Sequence, residues 1–98
     1  MSEAGATIDV RHDPDRRRFE ARVDGAVAFT AYRRQGEDTV VFTHTEVPSA
    51  AEGKGVGSRL ARTALEWARA QGLRVVAECP FVASYIRRHP EYAELVDG

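Results

Sequence analysis

The stretch "VPSAAEGKGVGSRL", residues 47–60, decides the fold, because the spacing of apolar residues changes across it. Before it, apolar and polar side chains alternate as they do in strands; after it, apolar side chains recur at helical spacing. Three glycines at alternating positions, Gly53, Gly55 and Gly57, lie at the change. The pattern therefore predicts a strand, a glycine loop and a helix, in that order.

The residues before the loop predict four strands. Apolar and polar residues alternate over 7–11, 19–23, 26–33 and 39–47, which is the period of a half-buried strand. These segments are separated by residues that favour tight turns: Asp13-Pro14-Asp15, Asp24-Gly25 and Gly36-Glu37-Asp38. Because tight turns join antiparallel neighbours, the first half is predicted to be an antiparallel four-strand meander.

The residues after the loop predict a helix and a fifth strand. The helix begins at Val56 and has one apolar face, formed by Val56, Leu60, Ala64 and Trp67 or Ala68. Gly72 stands where the C-terminal cap of the helix belongs, and residues 73–78 have the composition of a strand. Since a strand–helix–strand connection joins parallel strands, strands four and five are predicted to be parallel.

The C-terminal residues predict a short helix over 81–89 that ends before Pro90, followed by a final helical turn through Val96. The fold class that follows is α+β with a mixed sheet. With 98 residues, the chain is expected to form a single domain, residues 1–98.

Composition excludes several classes of function. Fourteen basic and fifteen acidic residues give a formal charge of -1, which argues against a nucleic-acid partner. Cys79 is the only cysteine, which favours a reducing compartment. The N-terminus has no leader-like pattern, and no apolar run approaches the roughly 20 residues of a membrane span. We therefore expect a cytoplasmic protein with no membrane partner, as a monomer or a weak dimer.

The glycine loop has the properties of an anion cradle. A loop that enters a helix presents unpaired backbone N–H groups where the helix dipole also favours negative charge, and glycines allow a ligand to approach the backbone closely. Two nucleotide motifs fail here. Pro48 replaces the first glycine of a P-loop, and Ser58 replaces the last glycine of the dinucleotide fingerprint. A phosphate or pyrophosphate of another kind of ligand is predicted.

With the meander, loop, helix and fifth strand in this order, the sequence resembles the GNAT superfamily of acyl-CoA-dependent N-acyltransferases. The segments "FTHTEVP", "EGKGVGSRL" and "CPFVASYIRRHPEY" resemble its small single-domain branch, the YjdJ-type or N-acetyltransferase domain-containing protein 1 group. The resemblance covers residues 19–96. It implies a minimal GNAT fold, with acetyl-CoA (coenzyme A) as the cosubstrate and an amine as the acceptor.

The resemblance also implies which residues bind the cofactor. The backbone of Val47 corresponds to the strand position that contacts the pantetheine arm. The pyrophosphate loop corresponds to Gly53, Lys54, Gly55, Val56, Gly57 and Ser58. The family pattern [QR]-x-x-G-x-[GA] is matched in its second half only, because Glu52 stands where glutamine or arginine is usual.

Three residues are candidates for the chemistry of acyl transfer, which needs a base, an oxyanion partner and an acid. His44 is a candidate base, because histidine is the side chain that most often serves as a general base, although it could also be a surface histidine. Cys79 could accept the acyl group or protonate the leaving thiolate, or simply be a buried small residue. The resemblance implies that both face one slot, and it makes Tyr85 a candidate acid. Glu46 is a weaker candidate base.

Two functions from different classes follow. The first is an N-acetyltransferase acting on a primary amine, either a protein lysine or N-terminus or a small amine. The alternative is a non-catalytic acyl-CoA-binding or sensing module. No pair among His44, Cys79 and His89 has a standard metal-ligand spacing, so no metal is expected.

Overall fold

The computed structural model describes residues 8–97, which form a five-stranded mixed sheet with three α-helices. The elements are β1 (Val10–Asp13), β2 (Arg18–Val23), β3 (Ala26–Gln35), β4 (Thr39–Glu46), α1 (Val56–Ala70), β5 (Arg74–Ala77), α2 (Pro80–Arg88) and α3 (Ala93–Asp97). Short 3₁₀ turns at Ser49–Ala51 and Pro90–Tyr92 complete the chain. The sheet order follows the sequence, β1-β2-β3-β4-β5.

The predicted strand pairing is confirmed. Each of the first three strands pairs antiparallel with the next one, and β4 pairs parallel with β5. The Asp24-Gly25 turn has φ of 52° and 80°, so both central residues are left-handed, as a two-residue type I′ hairpin requires. The fold class is therefore α+β with a mixed sheet, as the sequence indicates.

The ends of several elements differ from the prediction. The first strand was predicted over 7–11, of which Thr7 lies outside the described residues. It continues to Asp13, because Asp13 still pairs with Arg18 across the turn. Strand β5 is shorter than residues 73–78, and α2 begins at Pro80 rather than at residue 81. Proline is well suited to this first helical position, since it needs no N–H partner there.

Helix α1 covers one face of the sheet. Its buried side chains include Val56, Leu60, Ala64 and Ala68, which is the apolar face predicted from the sequence. The helix ends in a Schellman motif: Gly72 has φ of 71°, and the N–H of Leu73 donates to the carbonyl of Ala68 at 2.9 Å. The predicted glycine cap is thus confirmed, one residue beyond the C-cap Gln71.

The two faces of the sheet differ in what covers them. On the helix-covered face, side chains such as Phe19, Phe42 and Val75 join one buried cluster with residues of α1 and α2. The other face, which we call the open face, has no helix from the described residues packed on it. Ion pairs lie there instead, among them Arg18–Glu20 and Arg33–Glu78.

A β-bulge in β4 changes which side chains reach each face. Ala31 pairs with His44, but Tyr32 pairs with Phe42, so Thr43 is an extra residue. The Thr43 hydroxyl donates to the carbonyl of Ala31 at 3.3 Å. Because of the extra residue, Phe42 lies on the helix-covered face, whereas His44 lies on the open face.

Candidate functional site

The glycine loop leaves the start of α1 without a cap. The first intrahelical bond runs from the N–H of Arg59 to the carbonyl of Gly55 at 3.0 Å. The N–H groups of Val56, Gly57 and Ser58 come before it, and no side chain caps the helix. No acidic residue lies in its first turn. The loop therefore presents donors and a positive helix end, which together suit an anion.

The three glycines have two different structural roles. Gly53 and Gly55 have φ of 80° and 76°, and a Cβ added to either would meet nothing within 4 Å. Gly57 is helical, and a Cβ there would lie 2.5 Å from the tip of the Phe81 ring. The first two glycines thus serve the backbone conformation, and the third makes room for a side chain of α2.

A cavity of about 430 Å³ lies against the glycine loop. It is lined by Thr45, Val47, Ala51, Glu52, Gly53, Gly55, Val56, Gly57, Ser58 and Phe81. The Phe81 ring, 36% exposed, forms the wall on the α2 side. The cavity therefore joins the helix start to the end of β4.

The β4–β5 pairing ends beside this cavity. Its last pair is Phe42 with Ala77. The carbonyl of Phe42 then accepts two bonds, from the N–H of Glu78 at 3.0 Å and from the N–H of Cys79 at 2.9 Å. After Cys79 the chain enters α2 instead of continuing beside β4. The residues of β4 that follow Phe42 therefore have no β5 neighbour. We call this gap the slot.

Cys79 lies at the slot on the helix-covered face. It is only 2% exposed, and its Sγ donates to the Thr45 hydroxyl at 3.2 Å. The Thr45 hydroxyl is 2.8 Å from the hydroxyl of Thr30, which is fully buried. A chain of three hydrogen-bonding groups therefore runs from the thiol into the sheet.

His44 and Cys79 do not meet, although the resemblance implied that they face one slot. His44 lies on the open face, with its side chain 61% exposed and its Nε2 3.3 Å from the Glu46 carboxylate. The bulge at Thr43 is the cause, since it sends His44 and Phe42 to opposite faces. The thiol and the imidazole thus lie on opposite sides of β4.

Two further candidates lie away from the thiol. The Lys54 ammonium pairs with the Asp24 carboxylate of the β2–β3 turn. Tyr85 is buried in α2, and burial raises the pKa of its hydroxyl. Its ring is stacked on His89, with centroids 3.9 Å apart. Tyr85 and Lys54 line a neighbouring groove, not the cavity beside Phe81.

Three residues of the site were missed from the sequence. Thr45 and Thr30 form the hydrogen-bond chain of the thiol, and Phe81 forms a cavity wall. Phe81 follows Cys79 by two residues, so its place at the slot could have been inferred. The two threonines are ordinary strand residues, and no local pattern indicated them.

Metal and membrane sites receive no support from the described residues. Within 8–97, no group of three His, Cys, Asp or Glu side chains is arranged to hold a metal ion. None of the helices in the described part of the chain is long and apolar enough to cross a bilayer.

Comparison with protein families assigns the chain to a class. The profile of a family described as GCN5-related N-acetyl-transferase matches residues 18–95. The chain therefore belongs to this family, and its fold is that of an acetyltransferase-like protein.

Individual relatives agree with this assignment. Protein NATD1 of Gallus gallus is 34% identical over 92 residues, which cover 92% of this chain and 84% of the chicken protein. Protein NATD1 of Homo sapiens is 34% identical over 90 residues, covering 90% of this chain and 80% of the human one. An NMR structure of a GCN5-like protein from Staphylococcus aureus superposes with a TM-score of 0.71 at 25% identity, covering 89% of this chain and 85% of that one.

Proposed function

We propose that the protein transfers an acetyl group from acetyl-CoA to a primary amine. The observation that carries this proposal is the uncapped start of α1, where the N–H groups of Val56, Gly57 and Ser58 face a cavity that leads to the slot. Family membership supports acetyl transfer as the class of reaction. The geometry supplies a place for a long ligand that has an anion at one end and its reactive group at the other.

The loop fits the pyrophosphate of coenzyme A. A Cβ added at Gly53 or Gly55 would meet open space, so a ligand oxygen can approach the backbone at both positions. The hydroxyl of Ser58 adds a donor. Glu52 also lines the cavity, and its negative charge opposes an anion there. The Glu52→Gln variant is therefore expected to bind coenzyme A more tightly than the wild type.

The pantetheine arm fits between the end of β4 and α2. Thr45 and Val47 line one side of the cavity and Phe81 lines the other. The backbone of β4 beyond Phe42 has no β5 strand beside it, so it is free to bond an amide-containing arm. Such an arm ends beside Thr45, whose hydroxyl contacts the Cys79 thiol.

The bound thioester supplies an acyl carbon that an amine nitrogen can attack. The new C–N bond forms as the C–S bond breaks, one proton leaves the nitrogen and one proton goes to the sulfur. His44, with Glu46 behind it at 3.3 Å, accepts the amine proton. Because His44 lies on the open face, the acceptor amine approaches from there while the coenzyme occupies the helix-covered side.

Cys79 acts as the proton donor to the leaving sulfur. Its Sγ lies 3.2 Å from the Thr45 hydroxyl, at the slot. Among the described residues, no basic side chain contacts Cys79, and a thiol needs a base to become a strong nucleophile. The arrangement therefore favours proton donation over a covalent acyl-cysteine.

Mass spectrometry distinguishes these two roles of Cys79. The protein is mixed with acetyl-CoA without an amine, quenched in acid and analysed by peptide mapping. No acetyl group on Cys79 is the expected result. A stoichiometric acetyl-cysteine that forms and then decays on addition of amine would contradict the proton-donor role and support the covalent route.

The function itself is tested by acetyl-CoA binding and turnover. Purified protein is incubated with acetyl-CoA and a panel of primary amines, including lysine peptides and polyamines, and release of free coenzyme thiol is measured. We expect a rate above that of the amines alone, together with a rise in melting temperature on adding coenzyme A. The Cys79→Ala variant should keep the rise and lose much of the rate.

Three outcomes separate the candidate functions. Binding with turnover supports the enzyme. Tight binding without turnover on any amine supports the acyl-CoA-binding module. No rise in melting temperature with coenzyme A contradicts both. Arg22→Gln, an exposed change on β2, serves as the control and should behave as the wild type.

A further inference from the structure

An aromatic ring lies beside the proposed base on the open face. The rings of Phe29 and His44 have centroids 5.8 Å apart and are tilted by 60°. Phe29 lies on β3 directly across from Glu46, whose carboxylate is 3.3 Å from the Nε2 of His44. The ring, the imidazole and the carboxylate are therefore neighbours on one surface, which we call the acceptor patch.

Phe29 reaches the open face because the side chains of β3 alternate. Its neighbours Ala28 and Thr30 are fully buried on the helix-covered face, so Phe29 points the opposite way. It is half-buried there. Ala31 shares the open face with Phe29 and lies across from His44. Because its side chain is a single methyl group, Ala31 leaves room for a ligand beside the Phe29 ring.

An ion pair holds the Phe29 ring in place. The guanidinium carbon of Arg18 lies 4.7 Å from the ring centroid, which is a cation–π contact. Arg18 is itself paired with the Glu20 carboxylate, and each of these two side chains is only 25% exposed. Because the ring is already ordered, a ligand that packs on it pays little for ordering that side chain.

The charges around the acceptor patch favour a cation. Arg18 and Glu20 are paired with each other, so their charges offset one another. Among residues 8–97, the Glu46 carboxylate has His44 as its ion-pair partner, and histidine must be neutral to accept a proton. In the state that accepts a proton, the patch therefore has a net negative charge beside an apolar ring.

This combination matches the two parts of an alkylammonium ion. The Glu46 side chain is 61% exposed, so its carboxylate can attract the ammonium group, and the Phe29 ring supplies an apolar surface for the carbons that carry it. Lysine side chains pack in this way, with the stem along apolar surface and the charged head in water. The α-amine of an N-terminus has no such stem, because its carbon also carries the backbone carbonyl.

We propose that Phe29 binds the alkyl stem of the acceptor and thereby selects amines at the end of an unbranched chain of methylenes, such as the lysine side chain. The proposal rests on the function proposed above and names the acceptor class for it. With the amine nitrogen at His44, the four-carbon stem of lysine extends along the neighbouring ring. An N-terminal α-amine would place a polar peptide group against the ring and is therefore a poor acceptor.

A series of n-alkylamines from ethylamine to pentylamine tests the proposal, because these amines differ in stem length and hardly in basicity. Moving one methylene from water to an apolar surface strengthens binding by up to about fourfold. A stem that is covered on one side should gain about twofold per methylene. For the wild type we expect kcat/KM to rise by about this factor with each methylene, through KM and not through kcat.

Two variants of similar size separate an apolar contact from a structural role. Phe29→Leu keeps an apolar side chain and should retain most of the dependence on stem length. Phe29→Gln has a polar side chain and should lose it, so that ethylamine and pentylamine have kcat/KM values within about twofold. Val76→Ala, a substitution of a residue 40% exposed on the same face, is the control and should keep the full dependence.

Two amides compare the lysine stem with an α-amine. Nα-acetyl-lysine amide offers only its ε-amine, and alanine amide offers only its α-amine. With rates expressed per unprotonated amine, the wild type should prefer the lysine compound by on the order of tenfold, and Phe29→Gln should reduce this preference several-fold. A preference for the α-amine, or the same preference in both proteins, would contradict the proposal.

The remaining outcomes are distinguishable. If kcat/KM of the wild type does not depend on stem length, Phe29 does not bind the stem, and the proposed acetyltransferase function is unaffected. If Phe29→Leu and Phe29→Gln both lose affinity for coenzyme A, the ring supports the fold and not the acceptor, which also overturns the proposal. If no amine is acetylated, the proposed function fails and this proposal fails with it.

Discussion

The two faces of the sheet share the same strands but have different tasks. The helix-covered face holds the buried cluster, the cavity of the glycine loop and the Cys79 thiol. The open face holds exposed ion pairs and the His44–Glu46 pair. The core that stabilises the fold and the proposed coenzyme site thus lie on the helix-covered face. The proposed acceptor chemistry lies on the open face. Substitutions on the two faces should therefore have separable effects.

Two histidines show the difference between the faces. His12 lies on the helix-covered face, where its ring is stacked on Phe19 with centroids 4.2 Å apart and its Nε2 is 2.7 Å from the Tyr32 hydroxyl. His44 lies on the open face with most of its side chain exposed. The first belongs to the packing of the core, and the second is available to a ligand.

The largest effect is expected from His44→Gln. Loss of a general base lowers the turnover rate by about 10²–10⁴-fold, and the affinity for coenzyme A should stay unchanged because the coenzyme occupies the other face. Steady-state kinetics and a binding isotherm measure the two quantities. An unchanged turnover rate would show that the open face is not the acceptor side, and a lost affinity would show that the faces are not separable.

The next largest effect is a loss of stability, and two neighbouring valines of β5 allow it to be compared between the faces. Val75 is 1% exposed on the helix-covered face, and Val76 is 40% exposed on the open face. Val75→Ala should lower the free energy of unfolding by about 2–3 kcal/mol, from two lost methyl groups and the cavity that they leave. Val76→Ala should cost less than about 1 kcal/mol. Urea unfolding of both variants gives the comparison, and similar costs would contradict a one-sided core.

A smaller effect is expected from Gly57→Ala, which sets helix propensity against the Phe81 ring. Alanine favours a helix by up to about 1 kcal/mol over glycine, but its Cβ would displace the ring tip. In the wild type the two effects oppose each other, so the net change in unfolding free energy should be small or unfavourable. In a Phe81→Ala background the same substitution should be stabilising, and a double-mutant cycle measures the coupling.

Gly55→Ala is the matched control for that cycle. Gly55 has positive φ and no atom within 4 Å of an added Cβ, so alanine there is strained by the backbone alone. It should destabilise the protein by about 1 kcal/mol with or without Phe81. If Gly57→Ala and Gly55→Ala change the unfolding free energy by the same amount in both backgrounds, the assignment of two different structural roles to these glycines is wrong.

The smallest effect is the pH dependence contributed by His12. Burial lowers the pKa of His12, and the nearby Asp13 carboxylate partly offsets this. The unfolded chain therefore binds the proton more readily than the folded chain does. The contribution of His12 to the free energy of unfolding is fully present above the ordinary pKa of 6.5 and is lost as the pH falls below it. The slope stays under about 1.4 kcal/mol per pH unit, the limit for one proton.

The measurement is the unfolding free energy of the wild type minus that of His12→Phe, followed from about pH 8 to pH 5. Phenylalanine keeps an aromatic ring against Phe19 and cannot take up a proton. The difference should change with pH in the direction given above. A difference that is constant over this range would show that His12 has the same proton affinity in the folded and unfolded chain.

Most of the fold could be predicted because its signals are local. The Asp24-Gly25 turn, the apolar face of α1 and the Gly72 cap each depend on residues within a few positions of one another. The ends of β1 could not be placed in the same way. Asp13 has a turn-forming side chain, yet it remains in the strand because Arg18 pairs with it.

The candidate site was predicted less well, because it depends on one non-local feature. Strict alternation along β4 puts Phe42 and His44 on the same face. The extra residue Thr43 reverses this, and threonine is an ordinary strand residue that gives no sign of a bulge. The sequence therefore identified His44 and Cys79 as candidates but could not place them relative to each other.

The carbonyl of Phe42, which receives two N–H groups, has a consequence for engineering this protein. It ends the β4–β5 pairing with backbone atoms alone, so the width of the slot does not depend on which side chains follow. Glu46, which lies on the open face, can then be exchanged to alter the choice of acceptor while the coenzyme side stays intact. A library randomised at Glu46, with His44 kept, and selected for coenzyme A binding should retain most of its members, which makes this strand end a natural place to redesign specificity.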